Sequence, residues 1–330
     1  MHRMQRGGFG KEFLSRTILP EWWDDDSWGR QDLLPEIEIR IARFLGIPVS
    51  TVVDTDAALR APTYQEARLR RVRSVDRDRL GPAIHAGVRI AEAVVRNLKP
   101  TVAEPVSPPP SGLLWRKQIR RAGSRVSLED ILDDLWARGI PVLSAEVLPS
   151  PSFQGLAAVV QGRPVILVGH KHDEPGRAAF RVSHETGHIA RGDCAPGAPV
   201  VDEDEEITSE DEMEDLADRF ALQVLLGGDE VPAGPPGGVH DFRELAKHAA
   251  ALERDTGADA GAVIFSWARA TGDYATATRA TQALYRATGA QRILREHLLK
   301  NLDLREAPQS DRELLRVVSL DLEPSDAPAD

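Results

Sequence analysis

Two histidines, His184 and His188, stand four positions apart in FRVSHETGHIARGD (residues 180–193), with Glu185 directly behind the first. On an α-helix of about 3.6 residues per turn, this spacing puts both imidazoles on one face, where they can reach a single cation. Glu185 then points about a quarter turn aside. That offset keeps it off the metal but within reach of a water bound to it, the position a general base needs. With nine histidines in the chain, the pair alone is a weak signal. A catalytic zinc site also needs a third protein ligand and a fourth position open to water.

The third ligand is expected on a helix over SEDEMEDLADRFALQVLLGG (residues 209–228). Its apolar stripe runs through Ala217, Phe220, Ala221, Val224 and Leu225, and one turn further back it meets Met213 and Glu214. A glutamate on an inward stripe is costly unless something pairs with it, and a cation does. Asp218, one turn after Glu214, is placed to accept the spare ring N–H of a ligating histidine, fixing its tautomer. The histidine helix itself reads as buried. Phe180, Ser183 and Gly187 share the histidines' face, Val182, Thr186 and Ile189 occupy another, and Gly187 allows a close approach by whatever packs there.

The elements around this site read as α+β. A helix in SLEDILDDLWARG, opened by a serine cap with an acid three residues on, leads to a strand in IPVLSAEVLP. Two β-rich runs about Gln-Gly-Arg-Pro follow in LAAVVQGRPVILVGH and read as a hairpin over 157–169. The first hundred residues read as helical, with Ile37, Ile41, Phe44 and Leu45 on one stripe ended by Gly46 and Pro48. The organisation expected is a helical N-terminal region (1–97), a proline-rich linker (98–112), the metal-bearing core (113–240), a helical C-terminal region (241–318) and a disordered tail (319–330). The run VDEDEEITSEDEMED (201–215) reads as a solvated acidic loop.

A net charge of −11 in 330 residues argues against a general nucleic-acid coat. The lone cysteine, Cys194, excludes an internal disulfide, and a plain loop thiol is the expectation for it. No apolar run has the length of a leader or a membrane span, so a cytoplasmic protein with no membrane partner is expected.

The motif FRVSHETGHIA resembles the zinc-binding helix of the ImmA/IrrE-type metallopeptidases, and EDLADRFALQVLL is similar to their third-ligand helix. The lead-in LWARGIPVLSAEVL and the strand pair also look like the family's approach to its active site, so the resemblance covers roughly residues 127–226. Asp218 stands where the family usually has asparagine, and Ala179 where an arginine is common. The resemblance implies a zincin-like fold and a Zn2+-dependent endopeptidase with His184, His188 and Glu214 as ligands and Glu185 as base. It further implies a protein substrate of the helix-turn-helix repressor or antitoxin class, cleaved to control gene expression. The segment IEIRIARFLGIPVSTVVD resembles the last helices of an Xre-type domain without a recognition helix before it, which points to a degenerate or docking module rather than a DNA reader.

Peptide hydrolysis also calls for a donor to the tetrahedral oxyanion, for which His170, His172, Arg219 and His240 are the candidates. A strand edge exposed at the hairpin would let an extended peptide add to the sheet, and the acidic loop would attract a basic partner. The rival class is a non-catalytic regulator in which zinc braces a fold that binds DNA or a protein. Glu185 discriminates, because a bracing site has no use for an acid over an open position.

Overall fold

The computed structural model describes residues 1–20, 22–24, 26–62, 68–70, 77–120, 125–169, 173–202, 212–230, 241–284 and 289–318. His170, His172, His240, the acidic residues 203–211 and the tail 319–330 lie outside these. The fold is α+β, mostly helical, around one small mixed sheet.

The N-terminal helices are α1 (His2–Arg6), α2 (Lys11–Thr17), α3 (Leu34–Leu45), α4 (Val49–Val53) and the long α5 (Arg77–Arg96), with strand β1 (Arg68–Arg70) before the last. The predicted stripe of α3 is buried at Ile37, Ile41, Phe44 and Leu45, and the helix stops at Gly46. Next come α6 (Gly112–Ile119) and α7 (Leu128–Ala137). The expected cap of α7 is a reciprocal box in which Ser127 accepts from the Asp130 backbone and Asp130 accepts from the Ser127 backbone.

The sheet is built from β2 (Val142–Ala145), β3 (Gly155–Val160), β4 (Arg163–Gly169) and β5 (Val200–Asp202), in the order β1-β5-β3-β4-β2. The predicted hairpin is the β3–β4 pair, with Gln161 and Gly162 both at positive φ in its two-residue turn. β3 lies between β4 and β5, and β4 between β3 and β2. β5 pairs with residues 155–157 of β3 and β2 with residues 166–169 of β4, so the expected peptide-binding edge is corrected for the open end of the hairpin, the end beside Glu185, where both strands already have partners. The sheet ends at β1 and β2 instead.

Against this sheet lies α8 (Pro175–Arg191), which also packs on α7 and on α9 (Glu212–Leu226). Each of its residues from Gly176 to Ile189 except Arg181 is buried, so the helix is enclosed along most of its length. One hydrophobic cluster runs from Phe9, Leu45 and Ile90 through Leu156, Ile166, Val182 and Leu225 to Leu298 and Leu315. The proline-rich stretch lies over it, with Leu98 bridged to Leu302 and the Val106 N–H donating to the Arg138 carbonyl.

Among the described residues five more helices follow: α10 (Phe242–Thr256), α11 (Ala260–Thr271), α12 (Tyr274–Leu284), α13 (Ala290–Asn301) and α14 (Gln309–Leu315). Helices α10 to α12 enclose a second, smaller cluster that includes Leu245, Ala249, Val263, Ile264 and Ala268. Arg116 ties this unit to α9 by donating to the carbonyls of Val224 (2.5 Å) and Gly257 (2.7 Å). Helix α14 is stapled to the N-terminal helices by two acids that are almost fully buried. Glu313 pairs with Arg40, and Asp311 accepts both Arg96 Nε and Nη2 at 3.0 and 2.9 Å. Among the described residues, no helix is long and apolar enough to cross a membrane.

Candidate metal centre

Helices α8 and α9 meet where α8 carries no side chain. A Cβ built on Gly187 would lie 3.2 Å from Phe220 Cβ and 3.3 Å from Ala217 Cα, tighter than ordinary packing. This is the close approach expected of that glycine. It brings the first turn of α9 level with the histidines, and Glu214, buried as its stripe predicted, turns in toward them.

His184 Nε2 lies 3.2 Å from Glu214 Oε2 and 3.2 Å from His188 Nε2, while His188 Nε2 lies 3.5 Å from Glu214 Oε1. All three side chains are buried, at 4% exposure or less. The imidazole protons are elsewhere. His184 Nδ1 is 2.8 Å from Asp218 Oδ1, and His188 Nδ1 is 3.0 Å from Asp193 Oδ2. Burial pushes the Asp218 carboxyl up, but the hydrogen bond from His184 and the charges of His184 and Arg269 outweigh it and hold the group well below the usual carboxylate range. Asp193 is likewise held down against its burial by hydrogen bonds from His188 and Arg191. A carboxylate only accepts, so each Nδ1 carries its N–H. Desolvation lowers the His188 pKa, which keeps that ring neutral.

Two imidazole Nε2 atoms and a carboxylate therefore converge in a buried site, with 3.2 Å between the two nitrogens. The contacts to Glu214 run to its two oxygens, so the carboxylate faces both rings. The buried group His184, His188 and Glu214 can thus hold a metal ion.

Glu185, one residue along α8, is 1% exposed. Its carboxyl lies against the start of β3, where a Cβ on Gly155 would come within 2.0 Å of Glu185 Oε1. The glycine thus makes room for the carboxyl. Gly155→Ala should displace it, and a shift of about 1 Å in a reacting group costs on the order of 10²-fold in rate. For a hydrolytic centre the expected outcome is unchanged metal content with cleavage reduced by about that factor, measured by metal analysis and a peptide-cleavage assay on the same preparation. Wild-type cleavage by this variant would show that the carboxyl position is unimportant.

Of the predicted site residues, the structure brings His184, His188, Glu214 and Asp218 together, and Glu185 is buried next to His184 on α8 with its carboxyl against Gly155. It does not bring Arg219, which is exposed on α9 and sits about 140° around the helix from Glu214, facing away from the cluster. The three histidines named with it lie outside the described residues. Cys194 follows α8 and packs, half-buried, against the main core. Four contributors are absent from the sequence reading. Asp193 and Arg191 flank the end of α8, where an acid five residues beyond the second histidine was a usable signal. Arg269 reaches Asp218 from α11, and Gly155 reaches Glu185 from β3; nothing local marks either. Neither a protein-family model nor a curated protein matches this chain.

Proposed function

We propose that this chain is a zinc-dependent endopeptidase of the ImmA/IrrE type, and that it cleaves a DNA-binding regulatory protein, a helix-turn-helix repressor or antitoxin. One observation carries the reading: two imidazoles and a carboxylate converge at 3.2, 3.2 and 3.5 Å in a buried cluster, and the residue after the first imidazole is a buried glutamate. A small mixed sheet with the histidine helix packed on it fits a zincin core.

Zinc held by His184, His188 and Glu214 supplies a Lewis acid for water and for a substrate carbonyl. Glu185 takes the proton of the attacking water at its carboxylate and delivers it to the departing amine, so the peptide bond breaks with its protons balanced. Asp218 and Asp193 accept from the two Nδ1 atoms and so orient each ring with its Nε2 toward the cluster. Burial of the cluster strengthens each of these interactions over its value in water. Exposed Glu212 and Asp215 flank Glu214 on α9, and with the chain's charge of −11 they favour a basic substrate such as a DNA-binding protein.

The test is incubation of the zinc-loaded full chain with purified repressors encoded beside its gene, followed by mass mapping of the products. A discrete cut that a chelator prevents is the expected result. Absence of any cut, together with unaltered regulation by a Glu185→Gln chain in cells, would favour a zinc-braced regulator without catalysis.

A further inference from the structure

Each of the two histidines belongs to a chain of three groups, and both chains end in an arginine. In the first, His184 Nδ1 meets Asp218 Oδ1, and Arg269 grips both oxygens of Asp218, Nη1 to Oδ1 at 2.8 Å and Nη2 to Oδ2 at 2.6 Å. The guanidinium also lies over the Phe180 ring, 5.2 Å from its centre, so its plane is fixed on two sides. In the second, His188 Nδ1 meets Asp193 Oδ2, which accepts from Arg191 Nη2. The same Nη2 donates to the carbonyl of Met213 at 2.8 Å, the residue before Glu214. Arg269 and Arg191 are 14% and 18% exposed, and Asp218 and Asp193 are 19% and 10% exposed.

The pairing has an electrostatic consequence. Counting Glu214 and Glu185, four carboxylates surround the cluster, and the two guanidiniums leave two negative charges, the number one divalent cation cancels. Without the arginines, Asp218 and Asp193 would add uncompensated negative charge beside the imidazoles, which weakens any Lewis acid held there. The bidentate grip does a second job. It fixes the plane of the Asp218 carboxylate, and that carboxylate fixes the rotation of the His184 ring.

We propose that Arg269 and Arg191 are positioning residues of the metal centre: each clamps the carboxylate that orients one imidazole, and together they balance the charge around the ion. This rests on the zinc reading above and names residues that the metal-binding motif does not contain. Arg269 enters from α11, so it also makes the three-helix unit α10 to α12 part of the site. The ordering of His184 then depends on how that unit sits against α8 and α9. Arg191 couples the end of α8 to the backbone beside Glu214, which holds the third ligand's helix to the other two.

The experiment is a double-mutant cycle on the full chain, read by zinc affinity in chelator competition and by the visible spectrum of the Co2+-loaded protein. Arg269→Gln should weaken zinc binding about 10–100-fold and alter the Co2+ bands. In an Asp218→Ala background the same change should do nothing further, because the clamp has nothing left to hold. The matching cycle is Arg191→Gln against Asp193→Ala. Wild-type affinity and spectrum in Arg269→Gln, or a loss of equal size in both backgrounds, overturns the inference and makes the arginine a general stabiliser. The readout separates this claim from the enzyme reading. A chain that takes up Co2+ and follows the cycle yet cleaves no peptide refutes the peptidase and leaves the clamp standing, whereas a wild-type chain that takes up no metal refutes both.

Discussion

Glu185→Gln should retain its metal and lose about 10²–10⁴ of its peptide-cleaving rate. The amide keeps the shape of the carboxyl that fits against Gly155, so the packing at the start of β3 is preserved. What disappears is the ability to accept a proton from water and return it to the amine. Because Glu185 is not in the donor group of His184, His188 and Glu214, zinc content should remain stoichiometric by elemental analysis. Thermal stability should fall by no more than the effect of one buried polar swap. Cleavage at the wild-type rate would remove Glu185 from the mechanism and with it the reason to read the centre as catalytic.

Glu214→Gln should remove most of the stabilisation that zinc gives. The parent gains about 4 kcal/mol at free zinc near 1,000 times its Kd, several degrees in Tm for a chain of this size, whereas the variant, lacking the anionic ligand, gains little. Calorimetric melts with and without zinc decide it. An equal zinc-induced rise in parent and variant would mean that the ion is held without Glu214.

The ligand set was legible because each of its spacings is a short-range property of a helix. His184 and His188 fall on one face through the period of α8, Glu214 was placed by extending the apolar stripe of α9 back by one turn, and Asp218 stands one turn after it. The capping box of α7 and the turn of the β3–β4 hairpin were local in the same way. The free hairpin edge was not legible. Whether a strand end is open depends on partners elsewhere in the chain, and β5 and β2 pair with the open end of the hairpin.

The sequence by itself determined which atoms can meet a cation and which carboxyl stands next to them, since helical periodicity fixes relative direction over a turn or two. Tertiary structure alone decided how far apart the two helices lie, through the missing side chain of Gly187, and where the Glu185 carboxyl rests, through that of Gly155. It also supplied Arg269, 51 residues beyond the aspartate it grips. Such contacts leave no periodic trace, because they are set by the packing of distant elements against one core and not by the pitch of any one of them.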